Sequence, residues 1–188
     1  MNTTPASLLE RLRNPAEEQA WNRFVALYTP LLYHWARRMG LSTPDAADLV
    51  QEVFTTLIQK LPEFSYDPGK RFRGWLWTLT LNKWREIRRR RAVPVADATE
   101  VELSAVADAD NVAGFEEAEY RQHLVSRALQ LMQADFQPGT WKACWEQVAN
   151  GRAAAEVARE LGMTVNAAHL AKSRVLRRLR QELDGLLD

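Results

Sequence analysis

Residues 72–91 read FRGWLWTLTLNKWREIRRRR. Helical periodicity makes this stretch one long helix, and it carries Trp75, Trp77 and Trp84 ahead of a run of arginines. From Lys70 to Arg91 there are nine basic residues against Glu86 alone, a balance of +8. Aromatic faces stack on unpaired bases, and arginines neutralise phosphates. A surface with both suits single-stranded or opening nucleic acid. A buried tryptophan core beside a solvated basic face accounts for the same residues. The two readings coexist if some tryptophans are core and others exposed.

The rest of the chain frames this helix. Net charge over 188 residues is only +1, but it is unevenly spread. Residues 92–120 hold eight acidic residues and no Lys or Arg, a balance of −8. Residues 165–183 hold five basic residues against Glu182, a balance of +4. The order is basic, acidic, basic. Cys144 is the single cysteine, so no intramolecular disulfide forms. His34, His123 and His169 are scattered and lack zinc-ligand spacing, so no metal and no cofactor is expected. No signal peptide and no apolar run of membrane-spanning length is found, which points to a cytoplasmic protein without membrane insertion.

The pattern predicts an all-α chain of two small helical domains joined by a flexible acidic linker. A helix over 16–28 is followed by a second one, capped by Thr29-Pro30, which stops at Gly40. Ser42-Thr43-Pro44-Asp45 starts the next. Its stripe is Ala46, Val50, Val53, Phe54, Leu57, Ile58 and Leu61, and Pro62 ends it. Asp45, Asp48 and Glu52 share the opposite side. A turn covers 63–70. Residues 92–114 are alanine-rich, acidic and poor in large apolar side chains, and read as a linker. Helicity resumes near Phe115, Pro138-Gly139 breaks it, a helix follows at 140–149, and two short helices come after Asn150-Gly151. Trp141 and Trp145, four apart, are expected in the core of this second domain.

Residues 153–180 read AAAEVARELGMTVNAAHLAKSRVLRRLR. An amphipathic helix ends at Leu161-Gly162, and a second begins near Val165. Gly162 allows a positive φ at the turn, and Thr164 can cap the second helix. This is a helix-turn-helix layout, in which the second helix enters the major groove. Thr164, Asn166, His169, Lys172, Ser173, Arg174 and Arg177 are the candidate DNA contacts: Asn reads adenine edges, and Arg and Lys reach guanine or phosphate. An ordinary αα-hairpin with a solvated basic face is the plainer reading.

Taken together, DAADLVQEVFTTLIQKLPEF at 45–64, the tryptophan-arginine helix and the C-terminal helix pair resemble a bacterial RNA polymerase sigma factor of the extracytoplasmic-function (ECF) group, in a divergent subgroup. The resemblance implies three parts. Residues 1–91 are similar to sigma region 2, residues 92–114 to its connector, and residues 115–188 to the region 4 helix-turn-helix that reads the minus-thirty-five element. It implies that Asp48, Gln51, Glu52 and Phe54 dock on core polymerase, and that Arg73, Trp77, Asn82, Lys83, Arg85, Arg88 and Arg89 contact minus-ten DNA. Asn82 falls where the family receives a flipped-out base, and an amide can read such a base edge. Partners implied are the largest and second-largest polymerase subunits, promoter DNA, and an anti-sigma protein or other regulator. The free protein is expected to be a monomer.

No enzyme constellation competes: the chain has no GxGxxG, phosphate loop, His/Cys pair or HExxH. The alternative is a stand-alone helix-turn-helix regulator that binds duplex DNA as a dimer, with the N-terminal domain as a dimerisation or sensing unit.

Overall fold

The computed structural model describes residues 7–63, 72–91 and 117–187. Among these the chain is helical, without a strand: α1 (Leu8–Arg11), α2 (Glu18–Arg38), α3 (Thr43–Lys60), α4 (Phe72–Arg91), α5 (Glu117–Met132), α6 (Pro138–Val148), α7 (Ala154–Leu161) and α8 (Val165–Leu183). Short 3-10 turns follow α3 and α5. The acidic stretch 92–114 and most of the turn at 63–70 lie outside the described residues. The chain divides into two compact units, Leu9–Leu124 with Gly185–Asp188, and Met1–Leu8 with Val125–Asp184.

The first unit is built around one ring. Phe24 on α2 is fully buried and meets four other aromatics. Trp21 and Tyr28 come from its own helix, Phe54 from α3 and Phe72 from α4, at centroid distances of 4.5–6.1 Å. All but Tyr28 are close to edge-on, the geometry that ring quadrupoles favour. One side chain thus draws α2, α3 and α4 together.

Helix α2 corrects the expected break at Thr29-Pro30. It runs unbroken for 21 residues with Pro30 inside. Thr29 and Pro30 both face solvent, while Leu27, Tyr28, Leu31, Leu32, Trp35 and Ala36 are buried on either side of them. A mid-helix proline costs roughly 3 kcal/mol. Burying several large apolar side chains at about 1.5–3 kcal/mol each outweighs it. At the far end Gly40 takes φ 83, and Leu41 N–H donates to Ala36 O, so the helix stops there.

Helix α3 opens at Ser42, whose hydroxyl accepts from Asp45 N–H at 3.4 Å, and gives way at Lys60 to the 3-10 turn that contains Pro62. Its buried stripe is Ala46, Leu49, Val50, Val53, Phe54 and Leu57. Ile58 is not in that stripe: it is 46% exposed. The first turns of α5 also belong to this unit. Tyr120 is buried there, its hydroxyl 2.8 Å from the Tyr28 hydroxyl, and it donates to Leu186 O at 3.1 Å.

The second unit packs α6, α7 and α8 around Ala143, Val157 and Ala171, with Leu161 and Met163 against them. Small residues at the centre let the helices approach closely, and Gln147 uses the space. Its Nε2 donates to Ala143 O at 2.8 Å and to Ala168 O at 2.9 Å, which ties α6 to α8. Three sequence expectations change here. Pro138 starts α6 rather than breaking a helix, because the first helical position needs no N–H. Helix α8 is 19 residues long, not short. Trp145 is 47% exposed and stacks on half-buried Trp141, 6.4 Å away, so this pair does not fill the core. The inward positions of α6 belong to Ala143, Cys144 and Gln147 instead.

An ion network closes the α6–α7 corner. Arg152 bonds Glu146 and Glu160, and Lys142 also bonds Glu160. Hydrogen bonds from Arg152 and Lys142 hold Glu160 below the ordinary carboxylate pKa. Bonds from Asn150 and Arg152 do the same for Glu146. A folded-state pKa below the unfolded value gives a contribution that is complete above the unfolded pKa and is lost as pH falls through the folded one. The second unit is therefore expected to lose stability below about pH 4. Arg152→Ala should flatten that acid limb. Thermal melts of both proteins over roughly pH 3–6 check this, since the window spans carboxylate titration. Parallel curves would remove the network's role.

Candidate nucleic-acid interface

Helix α4 has two sides. Phe72, Leu76, Leu79, Thr80, Leu81, Trp84 and Ile87 are buried. Thr80 is accommodated there because its hydroxyl donates to Leu76 O at 2.8 Å. On the other side Gly74, Thr78, Asn82, Arg85 and Arg89 follow at intervals of four, four, three and four, one stripe of a helix. Four of these five are exposed, and Arg85 is half-buried. A Cβ at Gly74 would meet nothing within 4 Å, so packing does not require glycine there.

The tryptophans serve mainly the core. Trp84 is 2% exposed and Arg88 lies over its ring at 5.2 Å, so that face is covered. Trp77 is half-buried and sits edge-on to Trp35 at 5.1 Å. Trp75 is also half-buried and packs 5.7 Å from Phe72. Trp84 is thus enclosed, while Trp75 and Trp77 keep part of their surface exposed. The polar and basic stripe is what faces outward.

Several predicted cations are already engaged. Arg73 lies 5.8 Å over the Tyr120 ring. Lys83 pairs with Glu86 at 2.9 Å, and Arg90 pairs with both Glu86 and Glu52. The Lys83 hydrogen bond and the Arg90 charge hold Glu86 below its usual pKa. Arg89 is exposed.

On α3 Asp48 and Gln51 are exposed and Glu52 is half-buried, its carboxylate 3.3 Å from Arg90. Phe54 does not share that surface: it is buried against Phe24 and supports the helix from behind. Asp48, Gln51, Thr55 and Ile58 form one outward stripe, at spacings of three, four and three. Ile58 is thus an apolar member of a polar face. Sequence reading placed it in the core because 58 continues the spacing of 50, 54 and 57.

In the second unit Gly162 takes φ 65 at the end of α7, and the Thr164 hydroxyl accepts from Ala167 N–H at 3.1 Å to cap α8. Helices α7 and α8 are therefore joined by a three-residue turn. On α8 Asn166, His169, Ser173, Arg174 and Arg177 are exposed, and Lys172 is half-buried. Ala171 is buried and packs in the core of the second unit. Val165 and Leu170, at 44% and 47% exposure, add two apolar groups to the outward surface. Burial raises the Cys144 thiol pKa, partly offset by the Lys172 charge.

The histidines are less scattered than the sequence suggested. His34 on α2 and His123 on α5 are 5.1 Å apart between ring centroids, with Glu119 beside them.

Sigma-70 region 2 matches residues 24–93, which run from within α2 to just past α4. Over 76 residues the chain is 36% identical to the RNA polymerase sigma factor CnrH of Cupriavidus metallidurans. It is 34% identical over 85 residues to the RNA polymerase sigma factor NccH of Alcaligenes xylosoxydans xylosoxydans. It is 30% identical over 88 residues to the ECF RNA polymerase sigma factor SigE of Mycolicibacterium smegmatis. Residues 24–93 carry a sigma-70 region 2. The aligned segments take in 40%, 45% and 47% of this chain, and 39%, 45% and 33% of the respective relatives, less than half of each. A solved structure of CnrH in complex with the cytosolic domain of CnrY is similar at 25% identity over 92% of both chains, with a TM-score of 0.38. The region 2 match contains the whole outward stripe of α3 and the whole of α4. No described helix is long and apolar enough to cross a membrane.

Proposed function

We propose that this chain directs transcription initiation, binding core RNA polymerase through α3 and presenting α4 and α8 to promoter DNA. The observation that carries this reading is the region 2 match, which falls on the helices with the acidic and the basic stripes. Asp48, Gln51 and Glu52 offer charge and amide groups to a basic partner helix, and Ile58 offers an apolar contact on the same side. Along α4, Arg85 and Arg89 suit phosphates, and exposed Asn82 between them and Thr78 suits the edge of an extruded base. On α8, Asn166, Arg174 and Arg177 suit base edges and phosphates of the minus-thirty-five element, with Leu170 and Val165 placed for thymine methyls. The functional division proposed with this role is residues 1–91, 92–114 and 115–188, although the first turns of α5 pack with the first compact unit. Bond making belongs to the polymerase, so the chain itself is not an enzyme. This role places it in the cytoplasm.

The test is a pull-down of core polymerase, followed by transcription from a promoter library. Core binding with sequence-selective initiation supports the proposal. Tight binding to duplex DNA as a dimer, without binding to core, overturns it in favour of a stand-alone regulator. Within the same assay Asn82→Ala is expected to slow promoter opening by about tenfold or more, since one lost base-edge contact is worth roughly 1–3 kcal/mol. Initial binding should change far less. Equal loss in both steps would remove its assigned role.

A further inference from the structure

The His34, Glu119 and His123 cluster is one that region 2 does not account for, since Glu119 and His123 lie beyond residue 93. One ligand atom from each lies within 4.8 Å of the other two. His34 Nε2 is 3.2 Å from Glu119 Oε1. In a tetrahedral site with bonds of about 2.0–2.1 Å, neighbouring ligand atoms stand about 3.3–3.4 Å apart. That pair is already at the required separation. Glu119 and His123 are one turn apart on α5, so both project to the same side of the helix, and a modest rotation of the His123 ring completes the set.

The surroundings favour a fixed site over a chance meeting of surface groups. Arg38 Nη1 donates to Glu119 Oε2 at 3.3 Å, which orients the carboxylate and leaves Oε1 directed at His34. Between the two α5 ligands, buried Tyr120 is held by the Tyr28 hydroxyl and by Leu186 O. It also lies parallel to Trp35, the neighbour of His34 in sequence, at 6.4 Å. The backbones that carry the ligands are therefore fixed before any ion arrives. Two imidazoles and one carboxylate select a first-row divalent transition ion over magnesium or calcium.

We propose that His34, Glu119 and His123 form a three-ligand site for zinc, or a divalent ion of similar chemistry, that clamps the start of α5 to α2. The fourth position is left for water. The Arg38 charge offsets that of Glu119, so the site suits reversible rather than permanent binding. It does not depend on the initiation role.

The experiment is a cobalt(II) titration of the chelator-treated full chain, followed in the visible spectrum, with zinc competition and thermal melts with and without zinc. One equivalent should bind, with the absorption of a low-coordinate nitrogen and oxygen site, and zinc should displace it and raise the melting temperature of the chain. His34→Ala and His123→Ala should each weaken binding by about tenfold or more and abolish the melting shift. Both side chains are half-exposed, and circular dichroism checks that the variants fold. Cys144 is buried with a raised pKa, a poor competitor for the ion. Unchanged binding in His34→Ala would overturn the clamp. Unchanged binding in the double variant, whose sole histidine is His169, would overturn the site.

Discussion

Phe24→Ala is expected to destabilise the first unit by about 3–5 kcal/mol, the range for emptying a buried aromatic position. The upper part of that range applies for a structural reason. Phe24 is fully buried and touches rings from α3 and α4 as well as its own helix. Collapse into the void would require three helices to shift together, so little of the cavity closes. A loss of this size is a large fraction of the roughly 5–15 kcal/mol that holds a typical domain. Urea unfolding followed by tryptophan fluorescence measures it. A cost below about 1.5 kcal/mol would mean that the ring cluster does not organise the unit.

Asp48→Arg combined with Glu52→Arg is expected to weaken core polymerase binding by at least about 100-fold, while the helix content stays the same. Two effects of different size decide this. Within the chain, Asp48 is exposed and Glu52 makes one ion pair with Arg90, a surface contact worth about 0–1 kcal/mol. Against a basic partner, reversed charges cost several kcal/mol in like-charge juxtaposition. The fold should therefore survive, and the interaction should not. Affinity for core polymerase and a far-UV melt, taken on the same preparation, separate the two. Retained affinity would displace the docking face from α3. Lost helicity would show that the Glu52–Arg90 pair carries more stability than its exposure allows.

Much of the first unit was legible because its signals are local. Ser42 caps α3, Pro62 stands in the turn that ends it, and the apolar spacing of 46, 50, 53, 54 and 57 reports the buried side. The length of α4 and its basic run were equally plain. The misreadings share one cause: tertiary burial decided against a local rule. Pro30 was tolerated because the buried stripe continues across it. Trp145 stayed outside because small residues already fill the space between α6, α7 and α8. Ile58 fits the helical spacing but falls on the exposed side of α3. The His34 and Glu119 contact spans 85 positions, and no spacing rule encodes such a pairing. The Glu119 and His123 pair, four apart, was the one visible hint.

The buried Tyr28 and Tyr120 hydroxyls have a consequence for how the chain is made. Tyr120 donates to the carbonyl of residue 186, 66 positions further along. During synthesis the ribosome must produce all of 125–184, the bulk of the second unit, before that acceptor exists. The first unit therefore emerges early, yet it completes its polar core late. In the interval a buried donor lacks its final partner, a penalty of roughly 1–3 kcal/mol. Vectorial folding here is not strictly first-made, first-finished: the polar core of the first unit reaches its final pairing only when a distant segment returns to it.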